Sequence, residues 1–184
     1  MKKFYIPLLL LFLISNGCFV SKEYPVEYDY NFLGDFDNYK SFGFFISETY
    51  MPEAPRKLVR STIKSHLELL GYEYNPDNPS FYVSYFYIDD PLSYKGYEQP
   101  KMESFIKYRS DTQKEKEKYM KKKFKIDQGT MVINFTDTND YSMIWQGYTT
   151  DLYSENIFDD PRKIRVAVLS ILNNYSFVPN RKNN

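Results

Sequence analysis

The sequence predicts an α+β domain: a single mixed or antiparallel β-sheet with two amphipathic helices packed on one face. Two segments repeat apolar residues at helical spacing. Others alternate or concentrate aromatic and β-branched residues as strands do. Their order is strand-strand-helix-strand, a variable stretch, then strand-strand-helix. One sheet covered by both helices is the simple way to bury so many one-faced elements.

The first strand is expected in Val26–Phe32, where VEYDYNF alternates. A Gly-Asp-rich turn at 34–37 leads to a second strand, Asn38–Ile46. Pro52 and Pro55 mark a loop. Arg56–Leu70 reads as a helix with Val59, Ile63, Leu67 and Leu70 on one face, and Gly71 stands where a left-handed cap is needed. NPDNP at 75–79 is a turn. Ser80–Ile88 is the clearest strand, apolar or aromatic on both faces, which predicts a central strand covered on both sides. Residues 110–125 form a charge run that suits either an exposed helix or the polar end of a long hairpin. Gly129–Asp137 and Tyr141–Thr149 pair as a hairpin around Thr138-Asn139-Asp140. The last helix opens with an Asp cap and Pro161, and carries Ile164, Val168, Ile171 and Tyr175 as its apolar stripe.

Ahead of the domain, Lys2 and Lys3 precede an apolar run from Ile6 to Ile14, followed by Ser15, Asn16 and Gly17. This is the three-part pattern of a bacterial export signal, too short to span a membrane. Gly17-Cys18 resembles a lipoprotein processing site, so cleavage is expected between them and acylation on Cys18. The position three before the cysteine holds Ser15 where that pattern has Leu. Ser15 and Gly17 also suit ordinary signal peptidase, which would release a chain with a free thiol. The expected organisation is a signal peptide at 1–17, a lipidated tether at 18–25, one domain at 26–178 and a disordered tail at 179–184. Two or more acyl chains anchor stably where one does so only marginally. Cys18 is the single cysteine, so no internal disulfide is expected and the core must hold the fold.

Composition excludes little else. The chain has 24 basic and 24 acidic residues, and losing Lys2 and Lys3 leaves it slightly acidic. No nucleic-acid partner is expected from that balance. Tyr (19) and Phe (15) are abundant, which favours strands and large packed areas but also follows from an AT-rich coding bias.

Five pieces in order carry a family resemblance. YDYNF…DFDNYKSFGF is similar to opening strands in which a Tyr-Lys pair precedes an aromatic strand. IKSHLELLGYEY resembles a helix ending in Gly-Tyr. NPDNPSFYVSYFY resembles an Asp-containing turn into a strand. GTMVINFTDTNDYSMIWQGY resembles an aspartate-ended strand, a turn and Trp-x-Gly, and IRVAVLSILNNYSF a closing helix. Together, over Tyr28 to Phe177, they resemble the lipoprotein family called domain of unknown function 4136. In that family the strand acid follows Val-Ile directly; here it is shifted to Asp137, and the basic run has no clear counterpart. The resemblance implies an envelope lipoprotein with an α+β sandwich and no stated activity; a fold alone assigns none.

The candidate sites are few. His66 is the single histidine, at the edge of a helix stripe without metal-ligating partners, so no metal or cofactor is expected. Asp89-Asp90, Asp159-Asp160 and Asp137 with Asp140 invite a paired-carboxylate hydrolase. Helix capping and turn formation explain the last two pairs as well. Asn139 between Asp137 and Asp140 invites calcium, without the spacing or glycine of a calcium loop. Trp145 suits sugar stacking or a core anchor, and Gly147 a bend or bulge. Arg109–Lys125 carries eight basic and three acidic residues. Its Lys114, Lys116, Lys118, Lys121, Lys122, Lys123 and Lys125 are candidate contacts to an anionic surface, or a solvated face. The expected function is therefore a non-catalytic, lipid-anchored binding or adaptor module with an envelope protein partner, placed at the outer membrane on its periplasmic or surface face. An envelope-polymer hydrolase and a structural envelope protein are the alternatives.

Overall fold

Alternating aromatic residues build a six-stranded sheet in the computed structural model, which describes residues 24–45, 51–97, 102, 106, 121–126, 129–150, 152 and 156–179. The strands are β1 (Val26–Tyr30), β2 (Ser41–Phe44), β3 (Glu73–Tyr74), β4 (Phe81–Ile88), β7 (Thr130–Asp137) and β8 (Met143–Thr149), in the order β1-β8-β7-β4-β2-β3. The pairs β1–β8, β8–β7 and β7–β4 are antiparallel, whereas β2 runs parallel to both β4 and β3. The sheet is therefore mixed, because the crossover through helix α1 (Glu53–Leu70) returns the chain in the same direction. A separate ribbon pairs β5 (Leu92–Tyr97) with β6 (Lys121–Ile126). Helix α2 (Pro161–Leu172) follows a 3₁₀ turn at Ile157–Asp159.

Both helices lie on one face. α1 buries Val59, Ile63 and Leu67, the stripe read from its spacing, and α2 buries Ile164, Ala167, Val168, Ile171 and Leu172. Phe81, Val83 and Tyr85 meet them from β4, with Ile133, Phe135 and Trp145 from β7 and β8. Each fully buried apolar side chain of this kind contributes about 1.5–3 kcal/mol. α1 starts three residues earlier than its expected Arg56, since Pro55 fits the first turn of a helix. It ends where Gly71 takes φ 102°: the Gly71 N–H donates to the Glu68 carbonyl and the Tyr72 N–H to that of Leu67, a Schellman closure. Asp160 caps α2 by accepting from the Arg162 N–H, and Pro161 follows it.

Two expectations need correcting. β4 is central, but only Phe81, Val83 and Tyr85 are buried, while Tyr82, Ser84 and Phe86 on the other face are half-buried. Aromatic rings suit either face of a pleated strand, so the run overstated burial. The bulge lies where Met143 and Ile144 oppose Thr136, not at Gly147. It turns both Ile144 and Trp145 into the core. Gly147 is required for space instead, because a Cβ there would sit 2.5 Å from Trp145 Cη2 and 2.7 Å from Ile171 Cγ2.

Candidate functional site

The two ends of the sheet differ in chemistry. At one end the residues that carry the family resemblance meet in the core. Tyr39, of the Tyr-Lys pair, donates its hydroxyl to Asp137 Oδ2 at 2.6 Å, joining the loop before β2 to the acidic end of β7. Asp137 Oδ1 also accepts from the Asn139 N–H at 2.6 Å. Tyr72, of the Gly-Tyr helix ending, shares a 2.8 Å hydrogen bond with Tyr175 beyond α2. Phe36 stacks on Phe177 at 3.9 Å over the same cluster. Burial pushes the Tyr39 and Tyr175 phenols well above their usual range, and the Asp137 carboxylate adds to the effect on Tyr39. Burial likewise raises Tyr72 to about 12. These motif residues hold the fold together.

The opposite end is where the chain enters. Val26 pairs with Thr149, Thr149 with Met131, and Met131 with Tyr87, so the start of β1 and the end of β4 share this side. The β5–β6 ribbon leaves from here: on each strand three residues separate the Ile88–Thr130 pair from the Leu92–Ile126 pair. Lys123 lies directly opposite Lys95, and Lys125 opposite Ser93 on the same set of alternate positions. All three lysines are exposed, and none makes an ion pair with a described residue. Like charges directly opposite each other disfavour strand pairing. The other set of positions holds Leu92, Tyr94 and Gly96 opposite Ile126, Phe124 and Lys122. Part of the charge run is thus a strand of a long hairpin, one of its two expected forms.

A cavity of about 250 Å³ opens at this end between Tyr87, Asp89, Leu152, Asn156, Ile157, Phe158 and Asp159. It brings together one acid from each of two sequence pairs, and both are exposed. Asp140 and Asp160 serve as backbone acceptors for Ser142 and Arg162, which holds both carboxyls below the usual range. Trp145 is fully buried against Phe135 and Tyr175, a core anchor. Its indole N–H lacks a hydrogen-bond partner among the described residues. His66 lines a groove of about 430 Å³ between the helices with Leu58, Ser65, Leu69, Arg165 and Leu169. Burial lowers its pKa, and a hydrogen bond to the Leu172 backbone opposes that. Gly17, Cys18, Lys114, Lys116 and Lys118 lie outside the described residues.

One feature escaped the sequence reading. On the face away from the helices, Asp29, Gln146, Asn134 and Ser84 form a row across four strands. Gln146 Nε2 donates to Asn134 Oδ1 at 2.9 Å, and burial raises the Asp29 carboxyl. Single amides inside otherwise apolar strands were its only trace in the sequence.

Comparison with known proteins agrees with this architecture. The family model "Domain of unknown function (DUF4136)" matches residues 26–175. A DUF4136 family protein from Bacteroides thetaiotaomicron superposes with TM-score 0.58 at 12% identity, covering 88% of this chain and 100% of the other. A PDZ domain protein from Parabacteroides distasonis gives TM-score 0.50 at 17% identity over 84% of this chain, which spans only 36% of that protein. Identities this low show a shared fold. No curated protein sequence matches.

Proposed function

The chain belongs to the DUF4136 family, and from its own residues we propose a lipid-anchored, non-catalytic binding module of the cell envelope. Acyl chains on Cys18 hold it at the outer membrane, and the folded domain docks an envelope protein. One observation carries this reading. Tyr39, Tyr72, Asp137 and Tyr175, which lie in the segments that carry the family resemblance, are hydrogen-bonded in pairs in the core. Catalytic groups must instead face a space where a substrate can sit. The export pattern ending at Cys18 supplies the location.

In-cell cross-linking and pull-down, wild type against Cys18→Ala, tests the proposal. Recovery of one protein near stoichiometry, lost with the anchor, supports it. Recovery of glycan alone, or of nothing, contradicts it.

A second reading draws on the cavity lined by Asp89 and Asp159. Two acids across one hollow are what glycoside hydrolysis uses. Both are exposed, though, and general-acid chemistry at neutral pH relies on burial to raise a carboxyl. Release of soluble fragments from purified envelope glycan, abolished by Asp159→Asn, would favour this reading over the first.

A further inference from the structure

We propose that the β5–β6 ribbon lies against the anionic phospholipid headgroups of the membrane that holds the N-terminal lipid. The inference deepens the anchored reading and rests on it. It starts from topology. Tyr24 is already buried in the core, and Val26, two residues on, lies at the same sheet end as Tyr87 and Ile88, from which the ribbon departs. The stretch from Cys18 to Tyr24 can reach at most ~22 Å even if fully extended. A six-residue ribbon is ~20 Å long. An anchored domain therefore keeps its ribbon end within reach of the bilayer, while Phe177 and the tyrosine cluster sit at the far end.

Charge and pattern select the occupant. β5 and β6 together hold five lysines and no acid. Asp89 and Asp90 stop at the ribbon's base. Lys95 faces Lys123 across the pair and Lys125 follows two positions on, all exposed. This arrangement disfavours the isolated ribbon and is relieved when an anionic surface lies over it. Lysine is a compact point charge rather than a bidentate fork, which suits a field of headgroups better than one shaped carboxylate. The alternate positions hold Leu92, Tyr94, Phe124 and Ile126. Each lysine near an anionic surface strengthens adsorption about fivefold, and salt weakens it.

The test uses the full chain purified from membranes and reconstituted on phosphatidylcholine vesicles with or without phosphatidylglycerol. Retention on phosphatidylcholine alone reads the lipid anchor; loss there sinks the anchored reading by itself. Hydrogen exchange of the β5 and β6 amides reads the ribbon. We expect exchange at least about fivefold slower when phosphatidylglycerol is present. The difference should vanish at high salt and in Lys95→Gln/Lys123→Gln/Lys125→Gln, with β4 and β7 amides unchanged as the control for folding. Equal exchange on both vesicles overturns the proposal. So does slowing that the triple substitution leaves intact, or slowing by soluble polyglutamate but not by vesicles, which would indicate an acidic protein partner. Lys123→Glu adds an independent arm: opposite Lys95 it should raise the melting temperature while weakening the anionic-vesicle effect.

Discussion

Asp137 shows how much one side chain settles. It ends β7, accepts from Tyr39 across the core and fixes its own turn through Asn139. Replacing it with Asn leaves the shape and removes the charge, so Asp137→Asn should lower unfolding stability by about 2 kcal/mol in urea titration. Gly147 makes the complementary point. Gly147→Ala drives a methyl into Trp145 and Ile171 and should cost ~1–3 kcal/mol in the same assay. The buried phenols set an alkaline limit. Tyr72 stays neutral in the fold up to about 12, whereas an unfolded tyrosine ionises near 10.0. Above the lower value the folded state binds more protons than the unfolded one, so stability falls as pH rises. The urea midpoint should hold below pH 10 and decline from there toward 12, less steeply in Tyr72→Phe.

Elements were legible wherever local chemistry and burial agree. The stripes Val59–Ile63–Leu67 and Ile164–Val168–Ile171, Gly71 past α1 and Asp160 before α2 all stand where the residues placed them. Those caps are worth testing as parts: Asp160→Ala should destabilise by about 1 kcal/mol. Gly71→Ala should cost about as much because φ is 102° there. Both are read by thermal or urea unfolding. What stayed hidden had no local signature. β3 is two residues long and exists only because β2 lies beside it. β5 reads LSYKGY, with a Pro before it and a Gly inside, both poor strand signals, and its partner is hidden in a charge run. The polar row from Asp29 to Ser84 is visible only once register is known, since its members come from four strands. Asp89 and Asp159 neighbour Asp90 and Asp160 in the sequence, but the fold brings the first two to one cavity.

At the scale of the molecule, the fold divides its labours between two ends. One is sealed by the Tyr39–Asp137 and Tyr72–Tyr175 bonds. The other carries the chain entry, the lysine ribbon and the cavity. Among the described residues no helix is long and apolar enough to cross a membrane; in the proposed function Cys18 carries the attachment. The measurement that bears most directly on it is the intact mass of the protein extracted from cell membranes. The expected species is a chain beginning at Cys18 with a diacylglyceryl group and a further acyl chain, absent from Cys18→Ala. A chain beginning at another residue, unacylated and recovered in the soluble fraction, would contradict it.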